Sequence, residues 1–188
     1  QNPCNPSYSN SEYFDCSYET YWEEGFFESQ ESSDLSKHFI MVNRRCVPPS
    51  PQLIGDARIL RIKFDSTKLQ GFNNWIIKDI HNNQSITFNK RSLGTDGYLN
   101  LGDDTTTIGY FQPGEGKLFK LAPVMQEGGT FVCNEYVSAS AGSFVCKDIV
   151  TNNGYELEIE KGVTINFTDT AKIEFSHSRF KSGVSGSG

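Results

Sequence analysis

Residues 109–129, GYFQPGEGKLFKLAPVMQEGG, divide the chain into an upstream and a downstream region of different character. Thr107-Ile108-Gly109-Tyr110-Phe111 has the composition of a strand. Gln112-Pro113-Gly114-Glu115-Gly116 is a tight reversal, because Pro fixes φ and glycine accepts positive values. Lys117-Leu118-Phe119-Lys120-Leu121 alternates polar and apolar, as a half-buried strand does. Ala122-Pro123 is expected to end its pairing, since Pro has no N–H to give the ladder. A joint between two β regions comes next, closing at Gly128-Gly129.

Upstream, strands are expected over 38–42, 58–64, 74–80, 85–88, 97–101 and 106–111. Their dividers, Gly71-Phe72-Asn73 and His81-Asn82-Asn83 among them, are turn-formers, and no helical pattern intervenes. Short strands at such spacings read as an antiparallel sandwich rather than a βαβ fold. Downstream, Thr130–Val137 and Ser143–Val150 share Phe-Val-Cys and a final Val at an offset of 13 residues. Three more strands, over 155–160, 163–168 and 171–175, are parted by Asn152-Asn153-Gly154, Lys161-Gly162 and Asp169-Thr170. The expected fold is therefore all-β: an antiparallel β-sandwich over 36–127, followed by a short β-meander or β-solenoid-like segment over 128–180. Residues 181–188, rich in Gly and Ser, read as a flexible tail.

Residues 1–35 form an aromatic and acidic N-terminal segment. Phe14, Tyr18, Tyr21 and Trp22 fall at i, i+4, i+7 and i+8, with Ser11 as N-cap and Gly25 as stop, which fits a short helix. The same rings also suit an extended strand. Tyr18, Tyr21, Trp22, Phe26 and Phe27, with Trp75, are the candidates for stacking sugar rings or anchoring a protein contact.

Of 188 residues, 36% are apolar and 13% aromatic, enough for a packed core. Seventeen basic against 23 acidic side chains give a net charge of −6, which argues against a nucleic-acid partner. No apolar run approaches the roughly 20 residues of a membrane helix. The start at Gln1 rather than Met fits a removed signal peptide. Five cysteines and the sequons at Asn83 and Asn166 fit a secreted, extracellular or cell-surface glycoprotein. Cys133 and Cys146, at matching places in the two Phe-Val-Cys triplets, are one expected disulfide; Cys4 and Cys16, closing a short loop, are the other, with Cys46 left over.

His38, His81 and His177 lie in three segments with no zinc-ligand spacing. Asp103-Asp104 offers oxygen ligands but lacks a calcium-loop spacing. Glu156, Glu158 and Glu160 share one strand face, as solvent-facing residues do. No Ser sits in a nucleophile elbow. The expectation is a protein without catalytic residues, metal or cofactor.

The segments Asn74-Trp75-Ile76-Ile77-Lys78-Asp79-Ile80 and Gly109 through Leu121 resemble the small β-sandwich modules at the ends of secreted bacterial glycoside hydrolases and surface proteins. The segment from Gly128 to Phe175, with Gly154-Tyr155-Glu156-Leu157-Glu158-Ile159 and Gly162-Val163-Thr164-Ile165-Asn166-Phe167, is similar to the start of the parallel β-helix of large secreted surface proteins. Together they cover about half the chain, and they imply a secreted structural or accessory module. Two functions are expected on this basis. The first is a structural subunit that forms a homo-oligomer or filament through its aromatic N-terminal segment or the edge of strand 171–175, where Lys172 and Glu174 offer opposite charges. The second is a non-catalytic carbohydrate-binding or accessory module with a glycan partner.

Overall fold

The computed structural model describes residues 22–44, 57–65, 68–93, 98–102 and 107–185. An antiparallel sheet of five strands runs in the order β1(Trp22–Glu28), β2(Lys37–Asn43), β9(Gly116–Pro123), β5(Asn74–Asp79), β6(Gln84–Asn89). A smaller antiparallel layer pairs β3(Arg58–Ile59) with β8(Tyr110–Phe111) and β4(Arg61–Lys63) with β7(Tyr98–Asn100). Rings fill the space between the layers: Trp22 meets Phe111 edge-on at 5.0 Å, and Phe64 stacks on Phe88 at 5.8 Å. The protein is all-β, as the spacing of its turns implied.

The reversal at Gln112–Glu115 forms with Glu115 N–H donating to Gln112 O and Gly114 at φ 76°, a conformation open to glycine. It is not a hairpin. Strand β8 pairs with β3 while β9 pairs with β2 and β5, so the turn carries the chain from one layer to the other. Asn43 at the end of β2 clamps it, donating from Nδ2 to Gln112 O and accepting from the Gly114 N–H.

Three further expectations change. Pairing of β9 does not stop at Ala122-Pro123: Ala122 and Pro123 lie beside Ile76 and Trp75. Pairing with β2 ends at Leu121, so the missing Pro N–H faces no ladder partner on that side. Along β9 the polar–apolar alternation is reversed at its first pair, while Lys120 keeps to the outer face. Lys117 points inward with its Nζ donating to Ile108 O and 4.0 Å from Asp79, and Leu118 points out. The helix ending at Gly25 is replaced over its last residues by β1, paired along its whole length with β2; Phe14, Tyr18 and Tyr21 lie outside the described residues.

Beyond β9 a one-turn helix, α1(Val124–Glu127), leads into strands that pair only in parallel. The first rung is β10(Gly129–Thr130), β11(Glu135–Val137) and β12(Ser143–Cys146); the second is β13(Ile149–Thr151), β14(Leu157–Glu160) and β15(Thr164–Phe167); then come β16(Lys172–Glu174) and β17(Phe180–Val184). Gly129 lies beside Val150 and Ser143 beside Thr164, each 21 positions on. A meander would pair antiparallel, so that alternative is excluded. The chain coils instead, and each rung rests on the one before.

The coil's period is thus not the 13-residue spacing of the Phe-Val-Cys triplets. That spacing separates two sides of one rung, and the expected strands over 130–137 and 143–150 are each broken by a corner. Phe131, Val137, Phe144, Cys146, Val150 and Leu157 fill the interior. A buried Asn152 braces one corner, donating to Tyr155 O and accepting from Ser176 N–H and the Ser178 hydroxyl. Residues expected as tail extend the coil: β17 pairs with β14, with one bulge before Val184.

Candidate functional site: the joint and the open end of the coil

The first rung is bolted to the sandwich by two polar networks. In one, Asn74, the buried first residue of β5, accepts from the Val132 and Cys133 N–H groups at Oδ1 (2.9 and 3.2 Å) and donates from Nδ2 to Cys133 O and to Glu135. Glu135 is buried at the start of β11 and also accepts from the Asn73 N–H at 2.6 Å and the Asn74 N–H at 3.0 Å. Burial outweighs these bonds and raises its pKa to about 7.

In the other network, fully buried Gln126 of α1 accepts from the Leu35 N–H and donates to Ser33 O and Asp34, while Lys147 beyond β12 pairs with Asp34 at 2.8 Å. Burial opposes ionisation of Asp34, but hydrogen bonds from Lys147 and Ser36 hold its carboxyl well below the usual range. Between the networks, Ser138 N–H donates to Gly71 O and Phe144 meets Phe72 edge-on at 5.1 Å. A Cβ on Gly71 would stand 3.0 Å from the Ala141 backbone, so only glycine lets the two bodies approach this closely.

The far end of the coil is different. Leu157 is fully buried, yet Phe180, its neighbour one rung on, is 52% exposed. Cys146 is fully buried, yet its neighbour Phe167 is 49% exposed. Ile165 and Ile173, beside buried Phe144 and Val150, are half-buried. Each faces the coil's interior in register with a buried residue, and no described rung lies above. Strands β15, β16 and β17 are the last in their sheets, so their outer backbone groups have no ladder partner among the described strands. Lys172 and Glu174 pair along β16 at 2.7 Å.

The residues singled out from sequence scatter. Cys133 and Cys146 are free thiols, and the expected bridge between them is not formed. Their triplets match in sequence, but Cys133 sits in a corner bonded to Asn74 and Cys146 is an interior residue of β12, its Sγ donating to Asp148 O. Burial raises both thiol pKa values. Cys4, Cys16, Cys46 and Asp103-Asp104 lie outside the described residues.

Trp75 is core, with its indole N–H on Phe72 O, and cannot stack a sugar. Trp22 is half-buried against Phe111. Phe26 and Phe27 are exposed, 69% and 57%, beside a groove of about 920 Å³. Successive residues of a strand face opposite ways, so they do not form one platform. Asn83, at the tip of the β5–β6 hairpin, and Asn166, on β15, are both exposed. The hairpin is set by Asp79, which accepts from the His81 and Asn82 N–H groups; the Trp75-to-Asp79 spacing is thus structural. Among the described residues no three His, Cys, Asp or Glu side chains group as metal ligands, and no helix is long and apolar enough to cross a membrane.

Asn74, Gln126 and Glu135 escape a reading of the sequence because each looks like the polar face of a strand or turn. The one signal present is Gln126, a lone polar residue after the apolar Leu-Ala-Pro-Val-Met. No family model, curated protein or solved structure matches the chain.

Proposed function

We propose that this chain is an extracellular structural subunit that assembles with copies of itself through the open end of its coil, the sandwich serving as the cap on which the coil starts. The observation that carries this is the exposure of inward-facing Phe167 and Phe180 beside unpaired strand edges. Apolar interior and open edges at one place are what a protein joint is made of. Exposed sequons at Asn83 and Asn166 support an extracellular setting. The alternative, a carbohydrate-binding module, loses Trp75 to the core and, among its described candidate rings, keeps Phe26 and Phe27 exposed.

Sedimentation velocity of the intact chain against Phe180→Asp and Phe167→Asp is the test. Because both rings are about half exposed, the variants should fold and melt like the parent. Concentration-dependent association of the parent, lost in both variants, is expected. Sedimentation of the parent as a monomer at high concentration removes the assembly function and leaves the glycan-binding module.

A further inference from the structure

Resting on that structural reading, we infer that two copies join end to end about a two-fold axis through Ile173 of β16, forming a closed pair rather than a filament. The reason begins at the other end of the coil. A head-to-tail contact would need a free first rung, and the first rung is covered: Asn74 takes the Val132 and Cys133 N–H groups, Gly71 takes that of Ser138, and Gln126 takes that of Lys147. Of the coil's two ends, a second copy can therefore offer, among the described residues, only the same open one. Two identical ends meet isologously, and a strand lying across the axis pairs antiparallel with itself.

Strand β16, Lys172-Ile173-Glu174, is self-complementary in that arrangement. Centred on Ile173, the pairing sets Lys172 opposite the partner's Glu174, and Glu174 opposite the partner's Lys172. Opposite charges directly across a strand pair stabilise it and like charges destabilise it. The shape agrees with the charge. The coil climbs continuously, so β15 stands a step below β16 and β17 a step above it. An axis through β16 exchanges the other two sides, laying the raised β17 on the partner's low β15. Phe180 begins β17 and Phe167 ends β15, both next to β16. The same rotation brings Phe180 against the partner's Phe167, so each covers the other's exposed ring.

Charge reversal tests this and separates it from the assembly reading itself. Lys172→Glu alone faces Glu on Glu across the axis, and Glu174→Lys alone faces Lys on Lys; each should weaken self-association about tenfold or more. Mixed in equal amounts, the two variants regain both opposite-charge pairs, and sedimentation should show a heterodimer that neither forms alone. Circular dichroism checks that both fold. If the parent associates but the single reversals associate equally well, or the mixture stays monomeric, the two-fold contact at β16 is overturned while assembly stands. A parent that stays monomeric overturns both.

Discussion

Replacing Asn74 by alanine is expected to cost about 3–5 kcal/mol of folding stability. The side chain is fully buried and makes five contacts to another part of the chain: two accepted N–H groups, one accepted thiol, one donation to a carbonyl and one to a carboxylate. Alanine leaves the Val132 and Cys133 N–H groups without that acceptor, and burial makes each such loss cost its full desolvation. Glu135 loses a donor in the same step, so its charge becomes harder to hold. Urea unfolding followed by tryptophan fluorescence and by far-ultraviolet dichroism gives the number. Because the network ties Asn74 of the sandwich to the first rung, both signals should shift together to lower urea. A loss under about 1 kcal/mol, or a change in only one signal, contradicts the joint as described.

The second large effect is a dependence of stability on pH that runs against the usual acid-unfolding limb. The folded-state pKa of Glu135 is raised from 4.5 to about 7. A raised value means that the folded chain holds the proton more tightly than the unfolded one, so this stabilisation is complete below about 4.5 and is lost as pH rises through about 7. At 1.36 kcal/mol per unit, the limb amounts to about 3 kcal/mol. Asp34 gives the opposite limb: its lowered value contributes stability above its ordinary 3.8 that disappears as pH falls. Stability should therefore peak between about pH 4 and 5. Glu135→Gln should flatten the limb from 5 to 8. It should also lower stability throughout, because an amide turns an N–H₂ toward the Asn73 or Asn74 N–H. A denaturant midpoint that stays level or climbs from pH 5 to 8 in the parent would refute the assignment.

What the sequence made legible was local. The turn at Gln112–Glu115, the strand starting at Asn74 and the hairpin after Asp79 come from proline, glycine and Asx chemistry acting over a few residues. Which strands those turns connect was not legible. Local geometry is the same whether Pro113-Gly114 returns a strand to its neighbour or hands it to the facing layer, and only the burial of Phe111 and Phe119 against one another decides for the second. The coil was half visible, since its corner residues Asn152-Asn153-Gly154 mark breaks. Its true period was hidden because the Phe-Val-Cys echo at 13 positions is stronger in sequence than the structural step, which varies from 21 to 23 up to the bulge in β17. The place of the joint, closing at Gly128-Gly129, was legible from Pro123 and the paired glycines, but its polar network was not, as Asn74, Gln126 and Glu135 look like solvent-facing residues until distant segments surround them.

The open end as an assembly joint is tested most directly by amide hydrogen exchange of the intact chain at low and at high protein concentration. Outward-facing amides of β16 and β17 should gain protection as concentration rises, while those of β5 and β9, already paired on both sides, should not change. Exchange at residues 172–184 that is the same at both concentrations would contradict it.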